Sequence, residues 1–238
     1  MKIGIIGAMS QEVALLREAL VNEKTWEQAG AKFYSGTIEQ QEVIVVESGI
    51  GKVAASITAS LLIQKYGVEA IVNTGSAGGI GKGLAVGDMV LSTKLAYHDV
   101  DVTGFGYEYG QLPAGMPLYF EADARLLNEF EEAARINQLK TKKGLIVTGD
   151  AFINNQASIQ HILHHFPEAL ACEMEGAAIA QTAFQFGVPF LVIRAMSDTA
   201  DHQATQSFDE FIEKAGKQSA NMVLQFINNH AANQRTIE

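Results

Sequence analysis

Three features of the sequence predict an α/β sandwich, a sheet covered by helices on both faces. Short runs rich in Ile and Val alternate with longer amphipathic segments, the pattern of strands laid between covering helices. The 238 residues are 47% hydrophobic and 18% charged, which suits one domain, residues 1–238, with a substantial core. Six of the segments that follow apolar runs are polar, small or aromatic, as expected where strands end at a ligand crevice.

The elements follow in order. "KIGIIGA" (2–8) reads as a strand and 10–22 as a helix, with Ser10 as N-cap and Val13, Leu16 and Leu20 on one face. "KFYSGTI" and "EVIVVES" form a hairpin around Glu39 to Gln41, and a helix over 52–66 precedes the strand "AIVNTG" (70–75). "DMVLSTKLAYHD" (88–99) is a long strand with room to bend. The stretch 99–119 has Gly, Pro and aromatics without a period, and loops that long in compact domains are often functional. A helix (123–137), a strand (142–150), a helix (156–165) and the strand "ALACEM" (169–174) come next. A helix beginning near Glu175, the strand "PFLVIRAMS" (189–197) and a helix over 208–229 complete the chain, with 231–238 as a frayed tail.

Composition narrows the function. With 17 basic and 27 acidic side chains the net charge is -10, and no Lys/Arg run exceeds two, which argues against a grip on nucleic acid or an anionic membrane. A small neutral or cationic ligand fits better. Cys172 is the single cysteine, so a CxxC redox or zinc-ribbon site has no basis. The N-terminal "MKIGIIGAM" lacks the apolar length and cleavage site of a signal peptide, and no run approaches a membrane span. A cytoplasmic protein is expected.

The segments after the strands are Met9 to Glu12, Ser48 to Lys52, Gly75 to Gly79, Gly149 to Asn154, Glu173 to Glu175 and Arg194 to Asp198. In an open α/β sheet such segments converge on one pocket. "ACEMEGAAIAQ" (171–181) sets Glu173 and Glu175 inside small apolar surroundings, where a carboxylate needs a proton, a partner or several donors. An ordinary explanation also exists, since acidic residues favour helix starts. "SGIGKVAAS" (48–56) matches G-x-G-x-x-A at Gly49, Gly51 and Ala54, but Glu69 precedes the next strand instead of ending it, which weakens a dinucleotide site. "TGSAGGIGKG" (74–83) carries five glycines that let backbone approach a ligand or simply turn tightly. For metals, His98-Asp99-x-Asp101, His161-x-x-His164-His165 and Asp198-x-x-Asp201-His202 offer ligand-type residues without a distinctive full set. No metal and no cofactor are expected, and no G-x-S-x-G elbow supports a Ser nucleophile.

"GIIGAMSQEV", "GIGKV", "NTGSAGG", "TGDAFI", "CEMEGAAIAQ" and "RAMSDTAD" occur in this order over nearly the whole chain. Together they resemble the 5′-methylthioadenosine/S-adenosylhomocysteine nucleosidase family of the purine nucleoside phosphorylase superfamily. The resemblance implies a nucleoside phosphorylase-like three-layer sandwich with a central mixed β-sheet. It also implies hydrolysis of an adenine to ribosyl bond, through an oxocarbenium-like transition state, without metal or cofactor. Asp198 then matches the acid that protonates adenine N7, with Ser197 orienting the base, and a carboxyl in a dry pocket keeps its proton more readily. Glu175 matches the acceptor of the ribose 2′- and 3′-hydroxyls, and Glu12 the group that activates the attacking water. Ser76 and Arg194 match groups near that water and the ribose. Phe152 would stack on adenine, the Ile153 backbone would read its edge, and Met9, Ile50, Met174 and Phe208 would line the sugar and 5′-thio pocket. The 99–119 stretch, with Phe105, Tyr107 and Pro113, matches a segment that closes the second subunit's pocket, so a homodimer that takes small adenine nucleosides is implied. Glu173 has no assigned part and stays a structural residue.

Three alternatives differ in class. A phosphorylase of the same superfamily would need cations at the nucleophile; bacterial hexameric members carry Arg three residues before the Ser of "GS", where this chain has Asn73. A non-catalytic nucleoside sensor could dispense with Asp198 and Glu12, and both are present. A dinucleotide oxidoreductase rests on the weak glycine pattern alone.

Overall fold

The computed structural model describes the backbone of residues 1–199 and 204–237, and side chains over 1–199, at 208 and over 210–231. The mixed sheet has ten strands: β1 (Ile3–Gly7), β2 (Val21–Gln28), β3 (Ala31–Ile38), β4 (Gln41–Glu47), β5 (Ala70–Gly79), β6 (Met89–Tyr97), β7 (Phe120–Glu121), β8 (Thr141–Thr148), β9 (Ala169–Glu173) and β10 (Phe190–Asp198). Among the described residues six α-helices accompany them: α1 (Ser10–Glu18), α2 (Lys52–Gln64), α3 (Ala124–Ile136), α4 (Gln156–His165), α5 (Gly176–Phe186) and α6 (Ala204–Ile237).

The sheet is partly closed. β5 pairs with β10, β10 with β6, β6 with β8, β8 with β9, and β9 returns to β5. That ring removes free edges on one side, while β1, β4, β3 and β2 extend from β5 as an open wing. Both faces are covered. Val13 and Leu16 of α1, Leu126 and Phe130 of α3 and Phe226 of α6 pack on one face, and Ala55, Ala59 and Leu62 of α2 with Ala177 and Ile179 of α5 pack on the other. Helix α4 seats Ile159 and Ile162 on a third cluster beside β6, β8 and β9. Burying an aliphatic side chain of this kind contributes about 1.5–3 kcal/mol.

Several boundaries differ from the sequence expectation for physical reasons. The first helix stops at Glu18 and is followed by β2, an edge strand whose polar residues are mostly exposed and so carry no apolar alternation. Met9, not Ser10, is the N-cap of α1, because the Glu12 carboxylate satisfies the Ala8 and Met9 amides. β5 runs on through the glycines to Gly79, where Gly78 and Gly79 pair antiparallel with Cys172 and Ala171. The glycine stretch therefore continues a strand whose neighbours approach closely, before it turns. Helix α6 passes through 231–237, read from sequence as a tail: no Gly or Pro interrupts that stretch and its Ala, Gln and Arg residues favour helix.

Candidate active site

The sheet topology brings all six predicted segments to one cavity of about 400 Å³, within the range of small-molecule sites. Met9, Glu12, Ile50, Ser76, Phe152, Met174, Glu175, Ser197, Asp198 and Phe208 all line it. Ile153 lines a small annex of about 30 Å³ beside it. Arg194 lies behind the wall, buried among carboxylates. Phe105, Tyr107 and Pro113 are not among this cavity's lining residues; Phe105 ends a short 3-10 turn (Thr103–Phe105) and is 84% exposed. Ala8 and Cys172 line the cavity too and lay outside the expected segments, while Ala77, Gly78 and Glu173 lay within them without an assigned role.

Glu12 sits in the first turn of α1. Its Oε2 accepts from the amides of Ala8 (2.8 Å) and Met9 (3.1 Å), and its Oε1 accepts from the Ser76 amide (2.9 Å) and hydroxyl (3.0 Å). Four donors and the helix N-terminus hold a buried carboxylate in one orientation. Gly75 is required beneath it, since a Cβ there would lie 2.6 Å from Glu12 Oε1 and 2.9 Å from an Arg194 guanidinium nitrogen.

The two glutamates around Met174 have distinct surroundings. Glu173 ends β9 and accepts from the Glu175 and Gly176 amides, capping α5 as well as bonding the Thr148 hydroxyl. It also forms a buried ion pair with Arg194, whose guanidinium lies 3.8 Å from Glu175. Burial works against the Arg194 charge, but Glu173, Glu175 and Glu12 outweigh it and raise its pKa. Glu175, the N-cap residue of α5, accepts from the Gly51 amide at 2.8 Å. Burial first, then the neighbouring Glu173 charge, push its pKa up to about 8, against the pull of Arg194 and Gly51.

Asp198 is buried at the end of β10, and the Ser197 hydroxyl donates to its Oδ2 at 2.8 Å. The pairing of β10 with β5 slips between Met196 and Asp198, a bulge that lets two consecutive side chains act together. At the mouth, the Phe152 and Phe208 rings meet edge to face with centroids 5.6 Å apart.

The glycine-rich start of α2 has already spent its amides. Gly51 N–H goes to Glu175 and Lys52 N–H to Asp150 Oδ1 at 2.9 Å, so the donors a pyrophosphate would use are occupied by the chain's own carboxylates. Among the described residues no group of three or more His, Cys, Asp or Glu side chains is arranged to hold a metal. Asp201 and His202 lie outside the described residues, whereas His161 and His165 pack on Tyr109.

The model of the phosphorylase superfamily matches residues 2–228. This chain belongs to the phosphorylase superfamily. Within it, the chain is 52% identical to a 5′-methylthioadenosine/S-adenosylhomocysteine nucleosidase of an Exiguobacterium species over 94% of its own length and 96% of the relative's. It is also similar to solved superfamily structures. The S. pneumoniae nucleosidase with the transition-state inhibitor MT-ImmA is 50% identical, with a TM-score of 0.91 over 95% of this chain and 98% of that one. The Neisseria meningitidis nucleosidase in complex with methylthio-immucillin-A is 44% identical, with a TM-score of 0.94 over 96% and 99%. The expected fold, a mixed sheet with helices on both faces, is thus that of these superfamily enzymes. Among the described residues no helix is long and apolar enough to cross a membrane.

Proposed function

We propose that this chain, as a single nucleosidase domain, hydrolyses the N-glycosidic bond of 5′-methylthioadenosine and S-adenosylhomocysteine, and also of 5′-deoxyadenosine, releasing adenine. One observation carries the reading: Glu12, Glu175 and Asp198, from three distant segments, face one cavity whose nearest guanidinium is neutralised by Glu173. Such a site favours a sugar that becomes cationic as the bond breaks. Asp198, steadied by Ser197, hands a proton to adenine N7, so the base leaves neutral. Glu12, fixed by Ser76, accepts the proton of a water attacking the anomeric carbon. Glu175 takes the ribose hydroxyls, and Arg194 sets the charge around it. Phe152 covers the adenine face, Ile153 offers its backbone to the base edge, and Met9, Ile50, Met174 and Phe208 enclose the sugar and the 5′-thio group.

Phosphorolysis is disfavoured by the same charges. Asn73 accepts from Arg194 at 2.6 Å and donates to the Ile6 carbonyl at 2.8 Å, so this position adds no cation, and the charge of the buried Arg194 is offset by Glu173 and Glu175. Incubation with each nucleoside in phosphate-free buffer, followed by adenine detection, tests the reading. Failure to release adenine from any of them overturns it.

A cytoplasmic homodimer is part of the proposal. The packed pair α2 and α5 presents Val53 (70% exposed), Ile57 and Phe184 to the outside, and Phe105 stands free on its loop. A second copy covering that surface would bring Phe105, Tyr107 and Pro113 toward the neighbouring pocket. Sedimentation showing a monomer at micromolar concentration with full activity overturns this part.

A further inference from the structure

Helix α6 packs behind the Glu12 and Ser76 wall of the cavity through two residues that lie on one of its faces, three positions apart. Ser219 is fully buried; its hydroxyl oxygen accepts from the Gly75 amide at 3.0 Å and lies 2.6 Å from the Thr74 hydroxyl. Gly216 meets the first turn of α1: a Cβ there would lie 2.6 Å from the Gln11 carbonyl oxygen and 3.2 Å from the Glu12 Cα. These two contacts reach the two sides of one hydrogen-bonded unit. Gly216 abuts the backbone that carries Glu12, and Ser219 holds the peptide that leads into Ser76, whose amide and hydroxyl donate to Glu12 Oε1.

The clearances around that unit are small. A Cβ on Gly75 would already collide with the Glu12 carboxylate and Arg194, and a shift of the 74–76 backbone alters both Ser76 bonds to Glu12 at once. The Gly75 amide donates to Ser219, 144 residues further along the chain. Ser219 is therefore the tether that fixes where Ser76 donates, and the missing side chain at 216 is what lets α6 come near enough to place it.

We infer that Ser219 and Gly216 are positioning residues for Glu12: α6 sets the orientation of this carboxylate from behind, without touching the substrate. The inference rests on the nucleosidase reading, and it adds a control on the nucleophile that acts through Glu12 alone. Positioning of this kind is worth much in rate, since small misplacements of a reacting group are costly.

The experiment is a double-mutant cycle with single-turnover adenine release from methylthioadenosine, using Ser219→Ala, Gly216→Ala and each combined with Glu12→Gln. Alone, each α6 variant slows adenine release roughly 10- to 100-fold, while calorimetric affinity for a non-cleavable adenine C-nucleoside stays within about twofold. In the Glu12→Gln background the same changes cost less than about twofold, because the group they position has lost its function. Equal losses in both backgrounds, or a fall in affinity matching the fall in rate, make the contacts general structural ones and overturn the inference. Unchanged rates in the single variants overturn it as well. Wild-type protein that releases no adenine removes the nucleosidase reading itself, and the inference with it, a result distinct from an additive cycle in an active enzyme.

Discussion

Arg194 donates through Nη2 to Asn73 Oδ1 at 2.6 Å, and the same nitrogen is ion-paired with Glu173. Arg194 is buried, its charge is offset by Glu173 and the nearby Glu175, and the Glu12 and Glu175 carboxylates on the cavity side repel a phosphate anion. Adenine release at saturating methylthioadenosine is therefore expected to be independent of added phosphate, with methylthioribose as the sugar product. Mass analysis of the sugar checks this, and a phosphorylated sugar would contradict it.

Asp198→Asn keeps the shape of the side chain and removes the transferable proton. The rate should fall by about 10²- to 10⁴-fold, roughly 3 to 5 kcal/mol, with affinity for a non-cleavable analogue retained. Glu12→Gln should behave alike. Near wild-type turnover in Asp198→Asn, measured by adenine release, would mean the acid is elsewhere.

Glu175 gives a pH dependence with a definite sign. Its folded pKa is raised from 4.5 to about 8, so between those values the folded protein holds a proton that the unfolded chain has lost. Its contribution to stability is fully present below the lower value and is lost as pH rises through the upper one. Ribose hydroxyls that donate to Glu175 favour the ionised form. Ligand binding at neutral pH should then release close to one proton per site, and affinity should rise toward pH 8. Calorimetry in buffers of different ionisation enthalpy measures the release, and Glu175→Gln should abolish it.

Gly75→Ala places a methyl group 2.6 Å from Glu12 Oε1. Overpacking here is expected to cost about 1–3 kcal/mol of stability, and to slow turnover on the order of 10²-fold by turning the carboxylate. Thermal denaturation and steady-state kinetics test the two effects separately; unchanged kinetics would show that Glu12 tolerates displacement.

What could be read from the sequence depended on whether a residue's signal was local. Strands such as Phe190–Asp198, buried along their whole length, announce themselves as apolar runs. β2 does not, because Val21–Gln28 lies at the edge of the sheet with mostly exposed side chains. The motif segments gave Glu12, Ser76, Glu175 and Asp198, and the cavity brings all four together. Glu173 had no readable part, because its role needs Arg194, Thr148 and the start of α5 placed around it in three dimensions. Ser219 and Gly216 were silent for a similar reason: nothing within their own helix marks the contacts they make with Gly75 and Gln11.

The slip in β10 between Met196 and Asp198 makes the chain length of that strand a coded quantity. In a strand, parity decides the face on which a side chain emerges. Loss or gain of one residue between Phe190 and Met196 would exchange inward for outward positions without changing a single side chain near the cavity. Substitutions along this strand can be graded by size and polarity, but indels cannot. Surface connections such as the one at Gly67 between α2 and β5, where an added Cβ meets nothing within 4 Å, have no such parity to keep, so length variation in a library built on this scaffold belongs there and not in β10.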